Sequence, residues 1–202
     1  MIGRALIAIV MATLLQACAY TGHVESVSGA AEVMPTRHID ADADVRISPD
    51  ITEANTKVNL GFVCSAHDYS INAGPALAES ILKTMDAAFN NVTRVESQQE
   101  RENAYFLDFT LDELSPRLKF NPGFWSATPE GNTELSIRVR AIKPDGTLAI
   151  QTTARGQGRY DDGAGGCGDG MPVVEQATRV AIQRAMEDLV QKLINSKILI
   201  ED

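Results

Sequence analysis

The stretch 104-AYFLDFTLDEL-114 decides the fold class, because Tyr105, Leu107, Phe109 and Leu111 alternate with Phe106, Asp108, Thr110 and Asp112. Period two is the signature of a strand with one buried face. Downstream, 133-TELSIRVRAI-142 repeats the pattern with Leu135, Ile137, Val139 and Ala141 inward. The run 143-KPDGT-147 then supplies Pro144 and Gly146 for a tight turn, and 148-LAIQTTARGQG-158 returns as the second arm of a hairpin. Upstream, 57-KVNLGFVC-64 places Val58, Leu60, Phe62 and Cys64 on one face of a further strand, and 92-VTRVE-96 reads as a short extended piece.

Two segments carry the helical period instead. In 74-GPALAESILKTMDAAFNN-91, Pro75 suits the first helical turn, and Leu77, Ile81, Met85, Ala88 and Phe89 form one stripe. A second helix is expected from Pro172 to about Asn195, with Val174, Ala177, Ala181, Ala185, Leu189 and Leu193 as its apolar stripe. The expectation is an α+β domain over residues 56–202, a single largely antiparallel sheet with two helices packed on one face. A hydrophobic content of 44% gives such a chain one adequate core.

The N-terminus has a different character. Arg4 precedes the apolar run from Ala5 to Leu15, which is shorter than the roughly 20 residues a spanning helix needs and has the form of a secretory signal. The run ends at Leu15-Gln16-Ala17-Cys18. This resembles the lipobox of bacterial lipoprotein precursors, although Gln16 replaces the small residue usual before Ala17. The resemblance implies cleavage after residue 17, acylation of Cys18 and a membrane anchor of two or more chains, which is stable where a single chain is marginal. Ala19, where an inner-membrane retention signal carries Asp, implies an outer-membrane, periplasm-facing location. Residues 18–55, rich in Ala, Asp, Ser and Thr, read as a lipidated, solvated tether of roughly 35 Å root-mean-square span. The element order on such a tether loosely resembles small outer-membrane accessory lipoproteins: the YajG type, the lipopolysaccharide-assembly plug and the curli-secretion lipoprotein.

Net charge of −9, one unit more negative without Arg4, argues against nucleic acid as a partner. In an oxidising compartment Cys64 and Cys167 are expected to form a disulfide. The rival is zinc on Cys64, His67 and Cys167, which lacks a fourth ligand because His23 and His38 fall in the tether. The run 40-DADAD-44 mimics the start of a calcium loop but has Val45 where Gly belongs and Ile51 where Glu belongs. No cofactor or metal is therefore implied.

Catalytic readings are weak. Asp108 and Asp112 on one strand face stand roughly 13 Å apart, beyond glycosidase spacing. Ser65, His67 and Asp68 crowd into one loop without a nucleophile elbow, and 161-DDGAGGCGDG-170 has no Lys-Ser/Thr to complete a phosphate loop. The stretch 115–132, SPRLKFNPGFWSATPEGN, stands out as a long connection with Phe120, Phe124 and Trp125 in a chain only 5% aromatic. Exposed, these rings are expected to anchor a partner protein or to contact lipid at an interface; the other reading is that they fold back over the open sheet face. The sequence therefore points to a non-enzymatic accessory lipoprotein of an envelope assembly or transport system. A carrier or sensor of a small apolar or lipid ligand is the alternative, and a hydrolase using His67 the weaker one.

Overall fold

The computed structural model describes residues 19–25, 27, 38–98, 103–123, 127–163, 165–196 and 198–199. Among these, the chain runs β1 (Ala19–His23), β2 (Asp42–Ile47), the one-turn helix α1 (Pro49–Thr52), β3 (Asn55–Lys57), β4 (Asn59–Leu60) and β5 (Asp68–Asn72). It continues through α2 (Gly74–Asp86), β6 (Val92–Arg94), β7 (Ala104–Pro122), β8 (Ala127–Ile142), β9 (Leu148–Asp161) and α3 (Gly170–Leu189). A π-helical turn, Val190–Ile194, extends α3.

The expected helices and hairpin are present. Leu77, Ile81, Met85, Ala88 and Phe89 of the first stripe and Val174, Ala177, Ala181, Ala185, Leu189 and Leu193 of the second are all buried. Gly146 takes a positive φ of 84° in the β8–β9 turn and donates its N–H to the Lys143 carbonyl at 2.9 Å.

The single antiparallel sheet, however, is overturned. The strands form two sheets, a three-stranded one in the order β1-β5-β3 and a six-stranded one in the order β6-β2-β7-β8-β9, with β4 also on β7. Four of the pairings are parallel: β1 with β5, β2 with β6, β2 with β7, and β4 with β7. The physical reason is the crossover through α2, which returns the chain to the end of the sheet where β2 began, so that β6 lies parallel to β2.

A second correction concerns the tether. Residues 42–47 form a central strand, β1 also comes from the segment read as solvated coil, and β3 starts at its last residue, Asn55. Ile39, Ala41, Ala43, Val45 and Ile47 all enter the core, in strict alternation, and even Asp44 is buried. The aspartates that suggest solvent lie between these positions, so local polarity conceals a strand whose other face is apolar.

The connection 115–132 is not a loop either. β7 and β8 continue as a paired ribbon until Pro122 opposes Ala127. Between Leu111 and Glu113 the register slips by one residue, a bulge at Asp112. Leu111 and Leu114 therefore both lie on the helix side, and the inward set switches from odd to even numbers: Leu118 and Phe120 are buried. Sequence alternation fails here because one inserted residue inverts its parity.

The helices cover one face only. Cβ atoms placed on Gly156 and Gly158 of β9 would fall 1.9 Å from the Ala181 carbonyl oxygen and 1.8 Å from that of Ala177. Glycine is required there because the α3 backbone lies directly on the strand. Thr133 on β8 and Thr178 on α3 pair their hydroxyls at 2.9 Å inside this interface, and Thr178 also bonds the Val174 carbonyl. The opposite face of β7 and β8 carries Asp108, Thr110, Arg138 and Arg140, with a small buried apolar cluster of Val95, Phe106 and Ile142 at one end. The outer edge of β9 is guarded by α3: Arg184 donates to the Gln157 carbonyl, Lys192 to the Thr153 carbonyl, and Asp188 accepts the Arg155 N–H. These side chains occupy groups that would otherwise pair with another strand.

Candidate functional site

One end of the large sheet gathers most of the residues singled out by sequence. β7 and β8 end there at Pro122 and Ala127, and Ala127 bridges Gly165 of the glycine-rich loop. That loop leads to Cys167, which is disulfide-bonded to Cys64 with Cα atoms 5.7 Å apart. A pair so bonded has no thiolate to offer zinc, and among the described residues no group of three or more His, Cys, Asp or Glu side chains is placed to hold a metal.

Cys64 sits in a turn between β4 and β5, closed by the His67 N–H donating to the Cys64 carbonyl at 3.0 Å. Its φ of +64° is the left-handed conformation that non-glycine residues rarely adopt. Tertiary context holds it: the disulfide on one side, and Gly61 N–H to the Leu118 carbonyl on the other. The turn ends the expected alternation of residues 58–64. Val58 is buried, but Phe62 is 96% exposed, with its ring in solvent.

Beside the turn, Tyr20 of β1 stacks on Tyr69 of β5 with ring centroids 4.9 Å apart, and His67 meets both edge-on at 5.7 and 6.4 Å. Tyr69 donates its hydroxyl to the Cys167 carbonyl at 2.5 Å, tying the β1–β5 sheet to the disulfide loop. Burial, and next the neighbouring Tyr20, pushes the Tyr69 hydroxyl up to about 12 from its ordinary 10.0. Parallel pairing of Ala19 with Asp68 puts the start of β1 at this same end.

The hydrolase triad does not assemble. His67 contacts tyrosine rings, its Nδ1 is buried without a hydrogen-bond partner among the described residues, and Asp68 faces Lys57 at 3.7 Å. Asp108 and Asp112 are likewise committed to separate arginines, Asp108 to Arg46 at 2.5 Å and Asp112 to Arg138 at 2.7 Å. Such pairs steady an exposed face by about 0.2–1 kcal/mol each.

Of the three expected aromatic contacts, Phe120 is buried, close to Gly170 at the start of α3, and presents no surface. Phe124 and Trp125 lie outside the described residues, as do Cys18 and the leader 1–17. Sequence reasoning missed Phe62, whose only signal was the adjacent Gly61 breaking the strand. Nor is there room for an apolar ligand between α3 and β9, where glycine and alanine backbones touch. A shallow groove of about 310 Å³ does open beside β4, lined by Leu60, Gly61, Arg117, Lys119, Glu130 and Asn132.

No family model matches the chain, and no curated relative matches it. Among solved structures, the chain is similar to a Xanthomonas campestris protein of the family DUF330, at TM-score 0.54 and 13% identity over 89% of this chain and 95% of that one. It is also matched to a putative neuraminyllactose-binding hemagglutinin homolog from Helicobacter pylori (TM-score 0.45, 9% identity, 79% of this chain and 86% of that one). A minor lipoprotein from Acinetobacter baumannii is matched at TM-score 0.40 and 10% identity, over 79% of this chain and 95% of that one. The last two likenesses carry no argument, and the first is a likeness of fold alone.

Proposed function

We propose that this protein is a lipid-anchored, non-enzymatic envelope lipoprotein that holds a partner protein of an assembly or transport system at the periplasmic side of the outer membrane. The observation that carries the reading is the pairing of Ala19 with Asp68 of β5, one residue beyond the lipobox cysteine. β1 begins at Ala19, the residue after the lipobox cysteine Cys18, and is locked by pairing to β5. The cysteine that the motif marks for acylation is thus one peptide bond from a paired strand, and two or more acyl chains on it would give a stable anchor. Ala19 in the place of a retention Asp supports the outer membrane as the destination.

The partner contact is assigned to Phe124 and Trp125, which lie outside the described residues and follow in sequence on the paired ribbon of β7 and β8 that ends at Pro122 and Ala127. Large aromatic side chains at such a position are the usual anchors of protein interfaces. In living cells, a photo-crosslinker at Ala127 should capture a discrete protein, and Phe124→Ala with Trp125→Ala should abolish that adduct while the melting temperature stays within a few degrees. An adduct of unchanged yield refutes the contact.

A further inference from the structure

We propose that the end of the sheet bearing Ala19 and Phe62 seats directly on the lipid bilayer that holds the anchor, with the Phe62 ring entering the interface. The inference deepens the lipoprotein reading and rests on acylation of Cys18.

It follows from the absence of slack. A coil of the length of residues 18–55 would let the domain stand roughly 35 Å from the headgroups. In the folded chain, Ala19 already pairs with Asp68 and Tyr20 already stacks on Tyr69. One peptide link, about 3.8 Å between Cα atoms, separates Ala19 from the acylated residue. The surface around Ala19 is therefore confined to headgroup depth.

Phe62 is placed on that surface by short steps. Asp68, the partner of Ala19, follows His67, and the His67 N–H closes the turn on Cys64, two residues from Phe62. The disulfide to Cys167 and the Gly61 N–H bond to Leu118 hold this turn on the body of the domain. A large aromatic ring left 96% exposed on a braced turn, held at the membrane by the anchor, has apolar area to bury in the interface. Interfacial depth suits aromatic side chains, and the anchor supplies the proximity that a lone ring lacks. The acidic Asp161 and Asp162 at the end of β9 predict weaker seating on anionic vesicles than on zwitterionic ones.

Leu148 provides the internal control. It is 54% exposed at the opposite end of the sheet, where it pairs with Ile142 beyond the β8–β9 turn. The full-length lipidated chain, with its single tryptophan removed by Trp125→Phe, is prepared with either Phe62→Trp or Leu148→Trp and reconstituted into phosphatidylcholine vesicles with brominated acyl chains. Both reporter positions are exposed, and circular dichroism verifies that each variant folds. The expected result is at least twofold quenching at position 62 against unbrominated vesicles and none at position 148. Protein that floats with the vesicles yet shows no quenching at position 62, or equal quenching at both, overturns the seating and leaves the anchor standing. A mature chain whose mass lacks acyl groups overturns the lipoprotein reading and the seating together.

Discussion

The approach of α3 to β9 is close enough that only glycine fits on the strand, and Gly158→Ala measures it. The added methyl would lie 1.8 Å from the Ala177 carbonyl oxygen and 2.6 Å from the Ala181 nitrogen, both backbone atoms that no rotamer change can move. Real Cβ contacts essentially never fall below 3.0 Å, so about 1.2 Å must open between helix and strand. That displacement loosens Ala177, Ala181 and Ala185, all completely buried, along the length of the contact. Overpacking of this kind costs about 1–3 kcal/mol, against a gain of about 0.4–1 kcal/mol from a less flexible unfolded chain. The net loss is about 0–2.6 kcal/mol, and about 1–3 kcal/mol relative to a glycine-to-alanine control that shares the unfolded-chain gain, a fall in Tm of roughly 2–4 °C per kcal/mol for a chain of this size. Urea denaturation followed by circular dichroism, with Gly163→Ala as the control because nothing lies within 4 Å of its added methyl, checks the magnitude. A Gly158→Ala midpoint equal to or above that of Gly163→Ala refutes the close helix–strand approach.

Other consequences are as direct. Reducing Cys64–Cys167, which are separated by 103 residues, should cost up to about 4.7 kcal/mol in the chain-entropy model, less about 1–2 kcal/mol recovered as Cys64 leaves its left-handed conformation. Thermal melts with and without dithiothreitol measure this, and coincident melts contradict it. Because the folded state raises the Tyr69 pKa, it favours the neutral hydroxyl, so that stability is intact below pH 10 and falls as pH rises towards 12. Tyr69→Phe should flatten the fall in denaturant midpoint between pH 10 and 12; parallel curves would exclude Tyr69 as its source. Replacing Arg184, Asp188 and Lys192 together by Ala frees the β9 edge, and sedimentation should show concentration-dependent association beyond that of the unaltered chain. An unchanged sedimentation profile would show that the edge needs no guard.

The sequence by itself determined whatever a local period can carry. Leu77 to Phe89 and Val174 to Leu193 repeat every turn of a helix, and Tyr105 to Leu111 and Leu135 to Ala141 alternate over enough residues that only a half-buried strand satisfies them. The pairing of Cys64 with Cys167 was legible for the same reason of few alternatives, since no other cysteine remains once Cys18 is assigned to lipid. The resemblance of Leu15–Cys18 to a lipobox is likewise read from sequence alone.

Tertiary structure decided the rest, wherever local free energies are nearly level. Ala41, Ala43 and their neighbouring aspartates cost as little in solvated coil as in a strand, so only the contacts made by β6 and β7 draw β2 into the sheet in parallel. The candidate site shows the same division. A single inserted residue, Asp112, carries Phe120 into the core, whereas the turn held by Cys64 leaves Phe62 in water. Both outcomes depend on the register and bracing of chain segments distant in sequence, and no window of neighbouring residues contains that information.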